Sequence, residues 1–176
     1  EFRRVLFRSL ADPVHSTGGH PVSFKDGTWA QRFGALGDEA EQVFERVARY
    51  GWVRYGLNRP PLQMHRLPAR IRYTPDYLMS NKFIEVQGLG RDQKLKLKLD
   101  KHGALHWWND LHPVELFVWD SHHHRYCYLT MAEIDGLISS GQVELDTFPE
   151  GKSYFTFSAR LLFDTSEMVG EYVPST

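Results

Sequence analysis

The stretch from Phe83 to Gly90, reading Phe-Ile-Glu-Val-Gln-Gly-Leu-Gly, constrains this chain most. Ile84 and Val86 alternate with Glu85 and Gln87, the period of two that sends apolar and polar side chains to opposite faces of a strand. The pattern predicts a strand over 83–87, closed by Gly88 and Gly90, with Ile84 and Val86 in a core and Glu85 and Gln87 together on the other face. Eight residues separate Asp76 from Glu85, and Ser80-Asn81-Lys82 between them reads as a turn. A hairpin is therefore expected, with an extended arm from Arg70 to Tyr77 and both carboxylates at one end of a sheet. Two carboxylates at one point repel unless a cation joins them. Mg²⁺ prefers oxygen ligands and is the natural partner, with Mn²⁺ as its substitute. Such an ion can activate water and neutralise charge on a phosphate.

The flanking sequence supplies the rest of an α/β domain. Val43, Phe44, Val47 and Ala48 recur at helical spacing, predicting a helix over 28–50 that Gly51 ends, followed by a short strand at 52–55. Residues 10–27 read as loop, and Asn58-Arg59-Pro60-Pro61 breaks regular structure. Lys94 to Leu99 alternates as a strand would, yet Leu95, Leu99, His102, Leu105 and Trp108 share a helical face. The length and the Lys and Leu content favour a helix over 94–108 with Leu95, Leu99 and Leu105 inward. Strands are expected at 114–119 and 125–131, a short helix at 132–140, and more β structure at 142–145 and 154–157. With 176 residues, 41% hydrophobic and 24% charged, the chain suits one core. No apolar run is long enough to span a bilayer. A single cysteine, Cys127, cannot form an internal disulfide, which fits a cytoplasmic setting.

Glu1 to Ser9 stand apart. They are the in-frame translation of GAGTTCAGACGTGTGCTCTTCCGATCT, a short-read sequencing adapter, and are expected to be a scar, leaving 10–176 as a single domain. Such a scar, with no initiator Met, points to an environmental gene of bacterial or phage origin. The scar carries three Arg and one Glu, so setting it aside moves the formal charge from −1 to −3. A mildly acidic chain has no global attraction for nucleic acid, and any such site must be a local basic patch.

Pro75-Asp76 followed by Glu85-Val86-Gln87 resembles the PD-(D/E)XK nuclease motif. In that family the Asp and Glu bind the metal, and the Lys positions or activates the attacking water. Gln87 stands at the lysine position, as it does in some restriction endonucleases of the family. The resemblance implies a restriction-endonuclease-like core, a mixed central sheet flanked by helices, and a Mg²⁺-dependent deoxyribonuclease. Asp76, Glu85 and the Val86 carbonyl would hold the metal, and Gln87 would orient the water. Upstream, Gly37-Asp38-Glu39-Ala40-Glu41, an apolar helical face and Gly51-Trp52 resemble the first helix of archaeal Holliday-junction resolvases of the same superfamily. That likeness puts Glu41 at the metal, with Glu39 as the fallback. Downstream, Arg91, Lys94, Lys96, Lys98 and Lys101, less Asp92 and Asp100, give a net +3 suited to DNA phosphates. Lys94 or Lys96 would replace the motif lysine. The implied partner is DNA, duplex or branched, with no membrane, and a homodimer is open.

Three rival readings stand beside this one: a nuclease fold that binds DNA without cutting, motivated by Gln87, a structural or interaction module, and a metalloprotein built on His122 to His124. Other features read as structural. His122-His123-His124 follow Asp120-Ser121 and suit an exposed hairpin turn better than a metal site, because consecutive side chains do not converge. His65, His102, His106 and His112 offer no evident ligand spacing. Trp107, Trp108 and Trp119 sit among apolar neighbours and are expected in the core for the most part, as is Cys127.

Overall fold

The computed structural model describes residues 36–49, 51–56 and 66–173. Residues 1–9, expected to be a scar, the loop expected over 10–27, residues 28–35 of the expected helix and the Asn58 to Pro61 break lie outside them. The first helix, α1, spans Leu36–Ala48 and buries Ala40, Val43 and Phe44. It stops where Arg49 and Gly51 take positive φ angles of 53° and 83°, the left-handed turn that glycine adopts without a Cβ penalty. Strand β1 (Trp52–Arg54) follows. A short helix α2 (Ala69–Arg72) then leads into β2 (Tyr77–Met79) and β3 (Phe83–Gly88). The arm expected from Arg70 to Tyr77 is thus mostly not a strand. Pro68 precedes the turn of helix, and pairing with β3 begins only at Tyr77.

After β3 come β4 (Lys94–Lys98), α3 (Leu99–Leu111) and β5 (Val114–Asp120). The first third of the helix expected over 94–108, Lys94–Lys98, is therefore strand. Leu95 and Leu97 are 2% and 0% exposed, while Lys94 and Lys96 face out, the literal meaning of a period of two. What decides it is a partner: Lys94 to Lys98 pair antiparallel with Ser158 to Tyr154. The helix starts one residue later, and Leu99, expected inward, is 38% exposed. Next are β6 (Arg125–Thr130), α4 (Met131–Ser139), β7 (Glu144–Thr147), β8 (Ser153–Ser158), α5 (Ala159–Thr165) and β9 (Met168–Glu171). Thr130 and Glu133 close a capping box on α4.

Six strands form a mixed sheet in the order β1-β2-β3-β5-β6-β9, and β4-β8-β7 form a separate antiparallel sheet. In the larger sheet β3 and β5 run parallel and the other neighbours antiparallel. Parallel neighbours need a crossover, here β4 and α3. One face of the sheet packs against α1 through Tyr77, Ile84, Val86, Phe117 and Trp119. The other packs Phe83, Leu116, Val118 and Leu129 against α3, α4, α5 and the smaller sheet. The architecture is α/β, a mixed central sheet with helices on both faces. No described helix is long and apolar enough to cross a membrane.

The strand assignment of β4 has a direct energetic test. Leu97→Ala should cost about 2–5 kcal/mol by opening a core cavity. Leu99→Ala should cost less than about 1 kcal/mol, since that side chain is partly in water. Urea midpoints at constant m-value measure both; the helical alternative predicts the reverse order.

Candidate active site

The register Tyr77↔Ile84 places Asp76 opposite Glu85, and opposed residues of an antiparallel pair share a face. The backbone of Asp76 is clamped by the residues that follow β1: its carbonyl accepts from the Tyr55 and Gly56 amides at 2.8 and 3.1 Å. Glycine is required for that approach. A Cβ at position 56 would lie 2.9 Å from the Pro75 carbonyl oxygen and 3.0 Å from the Asp76 Cα. The Asp76 carboxylate then accepts from the Val86 amide at 2.8 Å, tying it across to β3.

Glu85 is 2% exposed. Its Oε1 accepts from Gln87 Nε2 at 2.8 Å, and Gln87 Nε2 also donates to the Val86 carbonyl at 2.6 Å. The counter-charge is Lys101, whose Nζ forms an ion pair with Glu85 Oε1 from the first turns of α3. Burial, and then the charge of Glu85 beside it, push the Asp76 carboxyl up to about 7. Burial works against the Lys101 ammonium, but Glu85 and Asp76 outweigh it and hold the group above the ordinary lysine range. Two carboxylates thus face a single ammonium in a site largely closed to water. The oxygen-rich donors and residual negative charge fit a hard divalent cation, which would relieve the repulsion that raises Asp76.

Asp76, Glu85 and Gln87 therefore converge, with the Val86 backbone between them. Other expected members do not. The Glu41 carboxylate is ion-paired with Arg54 at 2.7 Å, beside Tyr77 and on the α1 side of the sheet, opposite Glu85. Among the described residues, Glu41 does not join Asp76 and Glu85 in a group whose ligand atoms lie within 4.8 Å of one another. Glu39, the fallback, accepts from Trp119 Nε1 at 3.0 Å. Lys96 projects from the outer face of β4 and pairs with Asp92 at 3.2 Å, and Lys94 lies 3.9 Å from Glu144. Neither reaches the carboxylates, because inward positions of β4 belong to leucines. Lys101, expected on a DNA-facing surface, is instead inside the site. The sequence signal was present, since Lys101 follows β3 on the crossover, but its register depends on where β4 ends and α3 begins.

The expected basic surface is a mixed one. Lys94, Lys96 and Lys98 share the outer face of the smaller sheet with Glu144 and Asp146 of β7, across β8, and Arg91 is exposed nearby in sequence. His122 to His124 form the β5–β6 turn, where Asp120 accepts from His123 Nδ1 at 2.7 Å and from Arg125 Nε at 3.1 Å. Trp108 and Trp119 are buried, and burial pushes the Cys127 thiol up to about 12, as expected for structural residues.

No family model and no curated protein matches the chain. Among solved structures it is similar to the 1.6 Å structure of Archaeoglobus fulgidus Hjc, a Holliday junction resolvase from an archaeal hyperthermophile. The TM-score is 0.45 and the identity 11%, over 72% of this chain and 91% of that one.

Removing the ammonium should expose the cost of the pair. Lys101→Met should destabilise the metal-free protein by about 3–5 kcal/mol at a pH of about 8.5, because Glu85 is left buried beside a second acid. An acid whose folded pKa is raised contributes stability at low pH that is lost as pH rises through that pKa, here about 7. Part of the loss should therefore return at a pH of about 5, where Asp76 holds its proton. Urea denaturation at the two pH values measures it.

Proposed function

We propose that the chain is a metal-dependent DNA nuclease of PD-(D/E)XK type, hydrolysing phosphodiester bonds in duplex or branched DNA. The observation that carries the reading is the convergence of Asp76, Glu85 and Lys101, with the lysine delivered from α3 rather than from the strand position that Gln87 occupies. The topology supports it: Asp76 leads directly into β2, Glu85 lies on its antiparallel partner β3, and β3 is followed by a crossover to a parallel neighbour.

Asp76 and Glu85 would hold Mg²⁺ or Mn²⁺, with the Val86 carbonyl as a further oxygen beside them. A divalent ion so held supplies Lewis acidity, lowering the pKa of a bound water and screening phosphate charge. Gln87 is neutral and serves as a donor. Its amide fixes Glu85 Oε1 and so orients the carboxylate. Lys101 keeps its proton and balances Glu85, and the same ammonium can steer the attacking water and stabilise charge on a phosphate oxygen. Arg91, Lys94, Lys96 and Lys98 are the candidates for phosphate contacts, weakened by their acidic neighbours on β7.

Cleavage of linear, branched and single-stranded DNA with Mg²⁺ and with Mn²⁺ tests this. Asp76→Asn should abolish cutting, a loss of about 10³-fold or more, while DNA binding stays similar or tightens slightly. Lys101→Met should also lose most activity, whereas Lys96→Met should weaken DNA binding and keep the rate at saturating DNA. Undiminished cutting by Asp76→Asn removes this acid from the mechanism. The apparent metal affinity should rise as pH increases through about 7, because Asp76 must lose its proton to become a ligand. A second reading, a nuclease fold that binds without cutting, is favoured by the Gln87 amide resting on both Glu85 and the Val86 carbonyl. If wild type is inert and Gln87→Lys cuts, that reading holds.

A further inference from the structure

His102 and His106 lie four residues apart on α3, so they share one helix face, and their rings meet edge to face with centroids 4.6 Å apart and 83° between planes. Across from them, α4 presents Asp135. The three side chains meet at one point. Asp135 Oδ1 is 2.9 Å from His102 Nε2 and 3.0 Å from His106 Nε2, and the two Nε2 atoms are 3.2 Å apart.

Protons alone satisfy this triangle poorly. If both Nε2 atoms carry hydrogen, two donors crowd one carboxylate oxygen and face each other. If one does not, its lone pair lies against the oxygen's. A cation above the triangle takes all three lone pairs at once. Sides of 2.9 to 3.2 Å are close to the spacing that donors take around one ion at about 2.0–2.1 Å. Two imidazoles with one carboxylate favour a first-row transition metal over Mg²⁺. The side chains are 18%, 39% and 39% exposed for His102, His106 and Asp135, so an ion could enter and keep positions open to water.

We propose that His102, His106 and Asp135 form a binding site for a first-row transition-metal ion, Zn²⁺ in type, that joins α3 to α4 and is distinct from the Asp76–Glu85 pair. The site does not depend on the nuclease reading, since neither buried carboxylate belongs to it. It also differs from the His122–His124 turn, where His123 is turned onto Asp120.

The test is calorimetric titration of the full chain with Zn²⁺, in excess Mg²⁺ to occupy the acidic pair, with Co²⁺ as an absorbing probe. Wild type should bind one tight equivalent, raise its Tm, and show the visible bands of Co²⁺ bound through imidazole. His106→Gln and Asp135→Asn should each weaken binding by about tenfold or more and lose those bands. His106→Cys, which keeps a ligand, should retain tight binding, and His123→Gln should behave as wild type. Circular dichroism of each metal-free variant checks folding. Unchanged Zn²⁺ affinity in both His106→Gln and Asp135→Asn overturns the proposal. So does the absence of a tight equivalent in wild type, or its loss in His123→Gln.

Discussion

The buried carboxylate of Glu85 is the constraint around which the rest is arranged. A charge with 2% exposure in an apolar sheet is tolerated only with donors or a counter-charge beside it, and here a second acid adds to the cost. The donor Gln87 comes from the same strand and the counter-charge Lys101 from the crossover helix, while Asp76, leading into the adjoining strand, is the second acid. The arrangement leaves one negative charge uncompensated when both acids are ionised. Fold stability taken alone would favour apolar residues here.

The crossover links fold to chemistry. Because β3 and β5 are parallel, the chain must leave the sheet and return, and it does so over the face that carries Glu85. On the way β4 joins β8 and β7, so the smaller sheet anchors the start of α3. Lys101 is therefore positioned from two directions, by pairing of β4 behind it and by packing of Leu105 and Trp108 ahead of it. A lysine on the strand would need only the strand. One on the helix requires the whole unit to be in register, and the site inherits the stability of the larger core.

The opposite face has its own polar arrangement. Arg54 bridges Glu41 at 2.7 Å and Glu45 at 2.9 Å, and also donates to the Tyr77 hydroxyl at 2.9 Å. Since Tyr77 follows Asp76 directly, this network fixes the strand that carries the first acid. Glu41 thus lies behind the strand that follows Asp76, on the α1 face of the sheet.

The sequence by itself determined the β3 strand, its two faces, the pairing of Asp76 with Glu85, the end of α1 at Gly51 and the surface turn at His122 to His124. All of these rest on short-range rules, alternation and turn chemistry, that need no distant partner. The tertiary structure alone decided the rest. Lys94 to Leu99 fits both a strand and a helix on paper, and only the edge offered by β8 selects the strand. That choice shifts the helix by several residues, turns Leu99 outward, sends Lys96 to solvent and brings Lys101 onto Glu85. Asp135 meets His102 and His106 for the same reason: a contact between residues about thirty positions apart depends on how two helices pack, and local pattern carries no record of it.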